Sequence, residues 1–249
     1  MSVPRIHVDI DLAPDARVTL PEAACRHLAV VLRRRPGDLV TLFNGHGGEY
    51  SAVLETARRN DVTARITGFK GVSRESPLDV TLAQAVSKGE RMDYTIQKAV
   101  ETGVTSIQPL VTEHGLVKLN EERWQRKQEH WQAVAVSACE QSGRTRVPHV
   151  ARVLDLRDWI NALPTGVLRV VLALNADRVL GEMEYADQPI LVAVGPEGDF
   201  SEPEYRLLDE AGFQRAWLGP RVLRTETAGV VALSVMQSLW GDLGTRGKR

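Results

Sequence analysis

Two short stretches restrict this chain more than any others. Val167-Leu-Arg-Val-Val-Leu-Ala-Leu174 and Ile190-Leu-Val-Ala-Val194 are almost uninterruptedly apolar. A strand of that kind must be covered on both faces, as strands are in a parallel sheet packed between helices. The neighbouring sequence agrees. Leu78 to Val86, Ser106 to Val111 and Gln214 to Leu218 also read as strands. Helical patterns lie between them. Met92, Ile96, Ala99 and Val100 recur at helical spacing over 90–102, with Gly103 as the stop. Asn120 caps a long helix reaching about Gln141, with Glu121 and Glu122 where the dipole favours acids. Trp124, Trp131, Ala135 and Ala138 form its expected buried stripe. Ser201-Glu-Pro-Glu204 is a capping box opening a helix that stops at Gly212, and a last helix runs from Glu226 to Trp240. Strands alternating with helices predict an α/β domain with a mainly parallel sheet.

The front of the chain follows another pattern. Arg17-Val-Thr-Leu20, Leu39-Val-Thr-Leu-Phe43, Glu49 to Leu54 and Asp61 to Thr67 read as short strands, with one helix over 22–32 and a hairpin signal at Asn44-Gly45. Val62, Ala64 and Ile66 alternate onto one face. Such strands suggest a small β-barrel. Residues 68–79, rich in Gly and Ser, read as a linker. The expected domains are therefore 1–72 and 73–249. Residues 1–74 carry 11 Lys/Arg against 8 Asp/Glu, while the whole chain has a net charge of −1. A uniformly basic coat is excluded, but a local basic patch is not. Arg33-Arg34-Arg35, with Arg5 and Arg26 nearby in sequence, is the most basic local feature: either a solvated turn or a set of phosphate contacts.

No run approaches the ~20 apolar residues of a membrane span, and residues 1–7 lack the apolar core of a signal peptide. Cys25 and Cys139 match no disulfide or zinc spacing and are expected as buried thiols of a cytosolic protein. His7, His27, His46, His114, His130 and His149 are scattered singly, so no metal site is expected.

Ligands of open parallel sheets bind beyond the C-terminal strand ends. Two unusual loops fall there. Gly195-Pro-Glu-Gly-Asp-Phe-Ser201 follows one apolar strand and enters a helix, whose free N–H groups point toward the same crevice. Leu218-Gly-Pro-Arg-Val-Leu-Arg-Thr-Glu-Thr-Ala228 follows another. Neither is a Walker motif or the dinucleotide Gly-x-Gly-x-x-Gly. A ligand held by backbone groups and apolar walls fits better than a nucleotide triphosphate.

These two motifs resemble those of the SPOUT-class RNA methyltransferases, and within them the RsmE family. Lys88 to Val104, Arg123-Trp124 through Glu140-Gln-Ser-Gly-Arg144, and His27, Val31-Leu-Arg33, Gly37 and Leu42-Phe-Asn-Gly45 match the same family in order. The resemblance implies methylation of N3 of one uridine in 16S ribosomal RNA with S-adenosylmethionine. It also implies a PUA-like barrel that grips RNA, a trefoil knot in the catalytic domain, and a homodimer. Two positions depart from the family: Asp199 stands at a usual glycine and is expected to point to solvent, and Thr112-Glu-His-Gly115 replaces a Thr-Glu-Arg-Ser run.

On this resemblance, Leu174, Gly195, Glu197, Gly198, Leu218, Gly219, Leu223, Thr225 and Ala228 are the expected cofactor-binding residues. Gly198→Val is expected to fill the pocket. Lys88, Arg91 and Arg144 are the expected RNA-facing cations of the catalytic domain, beside Arg5 and Arg33–Arg35 of the barrel. Uracil N3 carries a proton, so the reaction calls for a base or a donor to the developing oxyanion. Glu197 and Glu226 are the candidate bases, though either carboxylate also suits pairing with an arginine or holding its loop. Arg224 is placed to donate to a uracil carbonyl or a phosphate. Two alternatives stand beside this reading: a SPOUT enzyme acting on ribose 2′-OH or guanine, and a non-enzymatic RNA-binding assembly factor.

Overall fold

The computed structural model describes residues 3–115 and 119–244. The chain forms two compact units, Met1–Glu75 with Cys139–Val147, and Ser76–Ala138 with Pro148–Arg249. The boundary expected at 72/73 leaves out the 139–147 segment, which the first unit holds through the ion pair of Arg144 with Glu75.

In the first unit, β1 (Arg5–His7), β2 (Arg17–Thr19), β3 (Leu39–Phe43), β4 (Glu49–Arg58) and β5 (Asp61–Lys70) form one sheet in the order β1-β3-β4-β5-β2. β1 joins β3 in parallel; the other pairs are antiparallel. Register shifts at Ser51/Ala52 and Leu54/Thr56 bend the long β4–β5 hairpin and curl the sheet. Val62, Ala64 and Ile66 fall on the buried face with Leu42 and Leu54, as the alternation requires. Each large aliphatic side chain buried here contributes ~1.5–3 kcal/mol. β1 has a single apolar residue between two polar ones, too little for periodicity to register. β5 continues to Lys70 because Phe69 packs on Tyr50 at 4.8 Å, so the strand enters the expected linker.

The helix expected over 22–32 divides into α1 (Glu22–Arg26) and a wider π-type turn over His27–Val31. The wider turn keeps Leu28 in the core, leaves Val30 and Val31 exposed, and delivers Arg33 in a left-handed conformation at φ 51°.

Two arginines expected to face RNA are committed inside this unit. Arg144 donates from Nη2 (2.6 Å) and Nε (2.8 Å) to Glu75, whose other oxygen accepts the Thr145 and Arg146 amides. Only 8% of the Arg144 side chain is exposed. Arg5 pairs with Glu49, donates to the Arg144 carbonyl at 2.9 Å and lies over the Phe43 ring. Burial pushes the Cys139 thiol up to about 12, and both cysteines are free and buried.

In the second unit, β6 (Val80–Ala85), β7 (Ser106–Val111), β8 (His149–Val150), β9 (Leu154–Asp155), β10 (Leu168–Leu172), β11 (Ile190–Val194) and β12 (Gln214–Ala216) make a sheet in the order β12-β10-β11-β6-β7-β8, with β9 also on β7. Every ladder is parallel. The helices are α2 (Arg91–Glu101), α3 (Glu121–Ser142), α4 (Leu156–Asn161), α5 (Glu202–Glu210) and α6 (Thr225–Leu239). α6 packs on α2 and β11, while Leu191 and Ala193 face a second cluster with Trp159, Tyr205 and Leu208. β11 is buried throughout, as its apolar sequence demands.

The capping box at Ser201 and Glu204 forms, and Asn120 accepts the Arg123 amide. Trp131, Ala135 and Ala138 are buried, but Trp124 is only half-buried, since the first turns of α3 are largely exposed. The short β8, β9 and α4 give no periodic signal. Among the described residues, no helix is long and apolar enough to cross a membrane.

Glu75→Ala removes the carboxylate that neutralises a buried guanidinium and receives two amides. It is expected to cost ~3 kcal/mol of stability, read as a lower midpoint in denaturant; a change under ~1 kcal/mol would show that Glu75 does not hold this segment.

Candidate active site

The C-terminal ends of β10, β11 and β12 open into one cavity of about 390 Å³, within the usual range for a small-molecule site. The 195–199 turn forms one wall. The 216–226 segment forms another and leads into α6, with Ala228 on its first turns. Leu172 to Leu174, leaving β10, complete the apolar lining. Leu174 and Val222 are 57% and 79% exposed at this site. Of the residues singled out in the sequence, Leu174, Gly195, Glu197, Leu218, Gly219, Leu223, Arg224, Thr225, Glu226 and Ala228 line the cavity. Arg91, expected to face RNA, lines it too. Val194, Ala216 and Trp217 line it as well; their only signal in the sequence is position, at or just after the last residues of strands that lead into the two loops.

A buried relay ties the two turns together. The Thr225 hydroxyl donates to the Gly195 carbonyl at 2.6 Å and accepts from Gln84 Nε2 at 2.8 Å. Gln84 reaches this point from β6 because Gly229 lets α6 lie close: a Cβ there would stand 3.1 Å from Gln84 Oε1. Space is tight at Gly195 as well: a Cβ there would stand 3.1 Å from Asp199 Oδ1 and the Phe200 amide, which would have to give by a few tenths of an ångström.

Gly198 does not line the cavity. Its missing side chain faces His114, whose Cβ would be 3.2 Å from an added Cβ. A bulky residue there would press on the 112–115 loop, not fill the ligand space.

Asp199 does not point freely to solvent either. It sits in the left-handed region at φ 62°, where glycine is favoured, and its carboxylate accepts from the Phe200 amide and the Tyr205 hydroxyl, both at 2.8 Å. Burial, with Asp199 beside it, drives the Tyr205 hydroxyl far above its ordinary pKa, so it remains a donor. The aspartate thus locks the turn from within.

The Thr112–Gly115 loop grips the same turn. The Glu113 amide donates to Glu204 at 2.8 Å, and His114 Nδ1 lies 3.0 Å from the Gly198 carbonyl and 3.1 Å from that of Asp199. These two carbonyls, Asp199 first, raise the His114 pKa above 6.5.

At the cavity mouth, Arg91 Nη1 holds Glu197 Oε1 at 2.5 Å, and its Nε stands 3.8 Å from Glu226 Oε1. Arg224 is exposed, 4.0 Å from the same Glu226 oxygen. Lys88 lies exposed in the loop between β6 and α2. Among the described residues no group of His, Cys, Asp or Glu is placed to hold a metal.

A group whose folded pKa is raised contributes stability below its unfolded pKa and loses it as pH rises through the folded value. His114 is therefore expected to clasp the 195–199 turn most firmly in acid and to release part of that hold above about pH 6.5. In an NMR titration its ring should show a midpoint above 6.5; a midpoint at or below that value would rule out the carbonyl clasp.

An RNA methyltransferase domain family matches residues 74–237, and an RNA methyltransferase PUA domain family matches residues 20–67. A ribosomal RNA small subunit methyltransferase E from Neisseria gonorrhoeae, solved with S-adenosylmethionine, superposes with a TM-score of 0.91 at 40% identity, over 97% of this chain and 100% of that one. A methyltransferase from Legionella pneumophila, solved with the same cofactor, gives 0.94 at 38% identity, over 98% and 100%. A ribosomal RNA small subunit methyltransferase E from Synechocystis is 35% identical over 90% of this chain and 74% of its own. The cavity at the strand tips, the curled sheet of the first unit and these likenesses agree: the chain belongs to the ribosomal RNA small subunit methyltransferase E family, with a PUA-type domain before its RNA methyltransferase domain.

Proposed function

We propose that this protein transfers a methyl group from S-adenosylmethionine to N3 of one uridine in 16S RNA of the small ribosomal subunit. The observation that carries this reading is the single cavity into which both backbone-rich turns converge. Its residues fit the cofactor. Leu174, Val222 and Leu223 supply apolar walls for a nucleoside, while Gly195 and Leu218 bring backbone close to it. The cofactor, when bound, supplies a methyl group already activated on a sulfonium sulfur.

The chain's own task is then alignment of the acceptor base and management of its proton. Arg224, exposed at the rim, is placed to donate to a uracil carbonyl or to a phosphate. Lys88 is a backbone contact on the same unit. On the first unit, Arg33 and Arg35 are exposed beside Val30 and Val31, which suits a surface that meets RNA phosphates and sugars.

A homodimer, a trefoil knot in the second unit and a cytoplasmic place of action belong to the same reading. The dimer is supported by α6, on which the apolar Val230, Val231 and Val235 are only half-buried and Leu239 is exposed.

Deleting the gene is expected to remove one 3-methyluridine from 16S RNA, measured by mass spectrometry of digested nucleosides, and the purified protein should restore it. Loss of a ribose-methylated nucleoside or a methylguanine would move the acceptor to another atom; no change in any nucleoside would favour a non-enzymatic binding role. Replacing Arg33 and Arg35 together with alanine is expected to weaken RNA binding and to reduce the dependence of log K on log salt by up to ~2 units. An unaltered slope would remove this turn from the RNA surface.

A further inference from the structure

The two candidate carboxylates of the cavity are not equivalent. Glu197 is engaged: its Oε1 is held by Arg91 at 2.5 Å. Glu226 is held only loosely, its Oε1 being 3.8 Å from Arg91 Nε and 4.0 Å from Arg224 Nη1. Its second oxygen, Oε2, is buried and has no hydrogen-bond partner among the described residues. Its side chain is 13% exposed and lines the cavity. An acceptor oxygen withdrawn from water and left unsatisfied costs free energy unless a ligand supplies the missing donor. The donor must also be one that the arginines do not repel, and a neutral N–H meets that condition.

We infer that the Glu226 carboxylate accepts the N3 proton of the target uracil, and that Glu197 acts only by fixing Arg91. This assignment rests on the proposed N3 chemistry. In the step, the N3–H bond breaks and its proton passes to Glu226. The nitrogen electron pair forms the N3–CH3 bond as the S–CH3 bond breaks, and the sulfonium sulfur leaves as a neutral thioether. No oxidant, reductant or second reactant is required. Negative charge developing on the uracil carbonyls meets Arg91 and Arg224, the two cations nearest the Glu226 carboxylate. Arg91 from α2 and Arg224 at the start of α6 stand within 4.0 Å of the Glu226 carboxylate, and Glu197, Asp199 and Arg221 line the same cavity.

Glu226→Gln keeps the shape of the side chain and removes its capacity to take a proton. The variant should fold with an unchanged melting temperature and bind S-adenosylmethionine within about twofold of the parent by calorimetry. Its single-turnover rate of 3-methyluridine formation should fall about 100-fold or more, the usual contribution of a positioned base. The parent's rate is expected to fall as pH is lowered; that fall should be absent from this variant and present in Glu197→Gln, and Glu226→Asp should recover part of the rate. A Glu226→Gln rate within fivefold of the parent would overturn the assignment. So would a loss explained wholly by weaker cofactor binding, which would make Glu226 a partner of the ligand's ammonium group. Absence of 3-methyluridine from the parent reaction, with methyl transfer to another atom, would overturn the N3 chemistry itself and this role with it.

Discussion

The hydrogen bond from Thr225 to the Gly195 carbonyl is the contact on which the site depends. The two turns leave different strands, and nothing in the chain's connectivity obliges them to meet. One hydroxyl makes them a single wall, because Thr225 is both the first residue of α6 and the donor that fixes the turn after β11. Gln84 supplies the third point, donating to Thr225 from the end of β6. The relay is buried, so each group it satisfies would otherwise carry a desolvation penalty of ~1–3 kcal/mol. Small residues are needed around it for the same reason: Gly229 admits Gln84, and Gly195 leaves room for Asp199 and the Phe200 amide.

Much of this was legible in the sequence where periodicity or spacing is strong. The fully apolar Ile190–Val194 marks the central strand, the capping box at Ser201–Glu204 marks the start of α5, and the positions of two glycine-containing loops after strands mark the cavity. What could not be read has two physical origins. Elements as short as β1, β8, β9 and α4 hold too few residues to display a period and exist only because their neighbours pair with them. Side-chain direction is the other. Sequence places Arg5 and Arg144 among the cations but does not say that Glu49 and Glu75 wait inside for them. Likewise it places Gly198 in the cofactor turn without showing that its open side faces His114.

The two departures from the family pattern prove to concern one object. Asp199 occupies a left-handed position that a glycine would fill without strain, and it offsets that cost by accepting from the Phe200 amide and the Tyr205 hydroxyl. His114, in the loop where the family carries a longer cation, reaches the carbonyls of Gly198 and Asp199 themselves. One residue braces the turn from its inner side and the other from its outer side. The turn therefore does not rely on glycine flexibility in this chain; it is held, and a held turn keeps its backbone groups aimed at the cavity.

Charge at the cavity mouth follows from the same economy of positions. Arg91, Arg221 and Arg224 line the cavity with Glu197, Asp199 and Glu226, so its formal charges balance. They are not spent equally. Asp199 is bound to neutral donors and Glu197 to Arg91, which leaves Glu226 and the exposed guanidinium of Arg224 less fully engaged. A site meant only to hold a cation would satisfy its carboxylates fully or expose them to water. One buried oxygen kept without a donor, beside a cation at the rim, is instead the arrangement that suits a reaction in which a proton leaves one atom of a neutral base while negative charge grows on its neighbours.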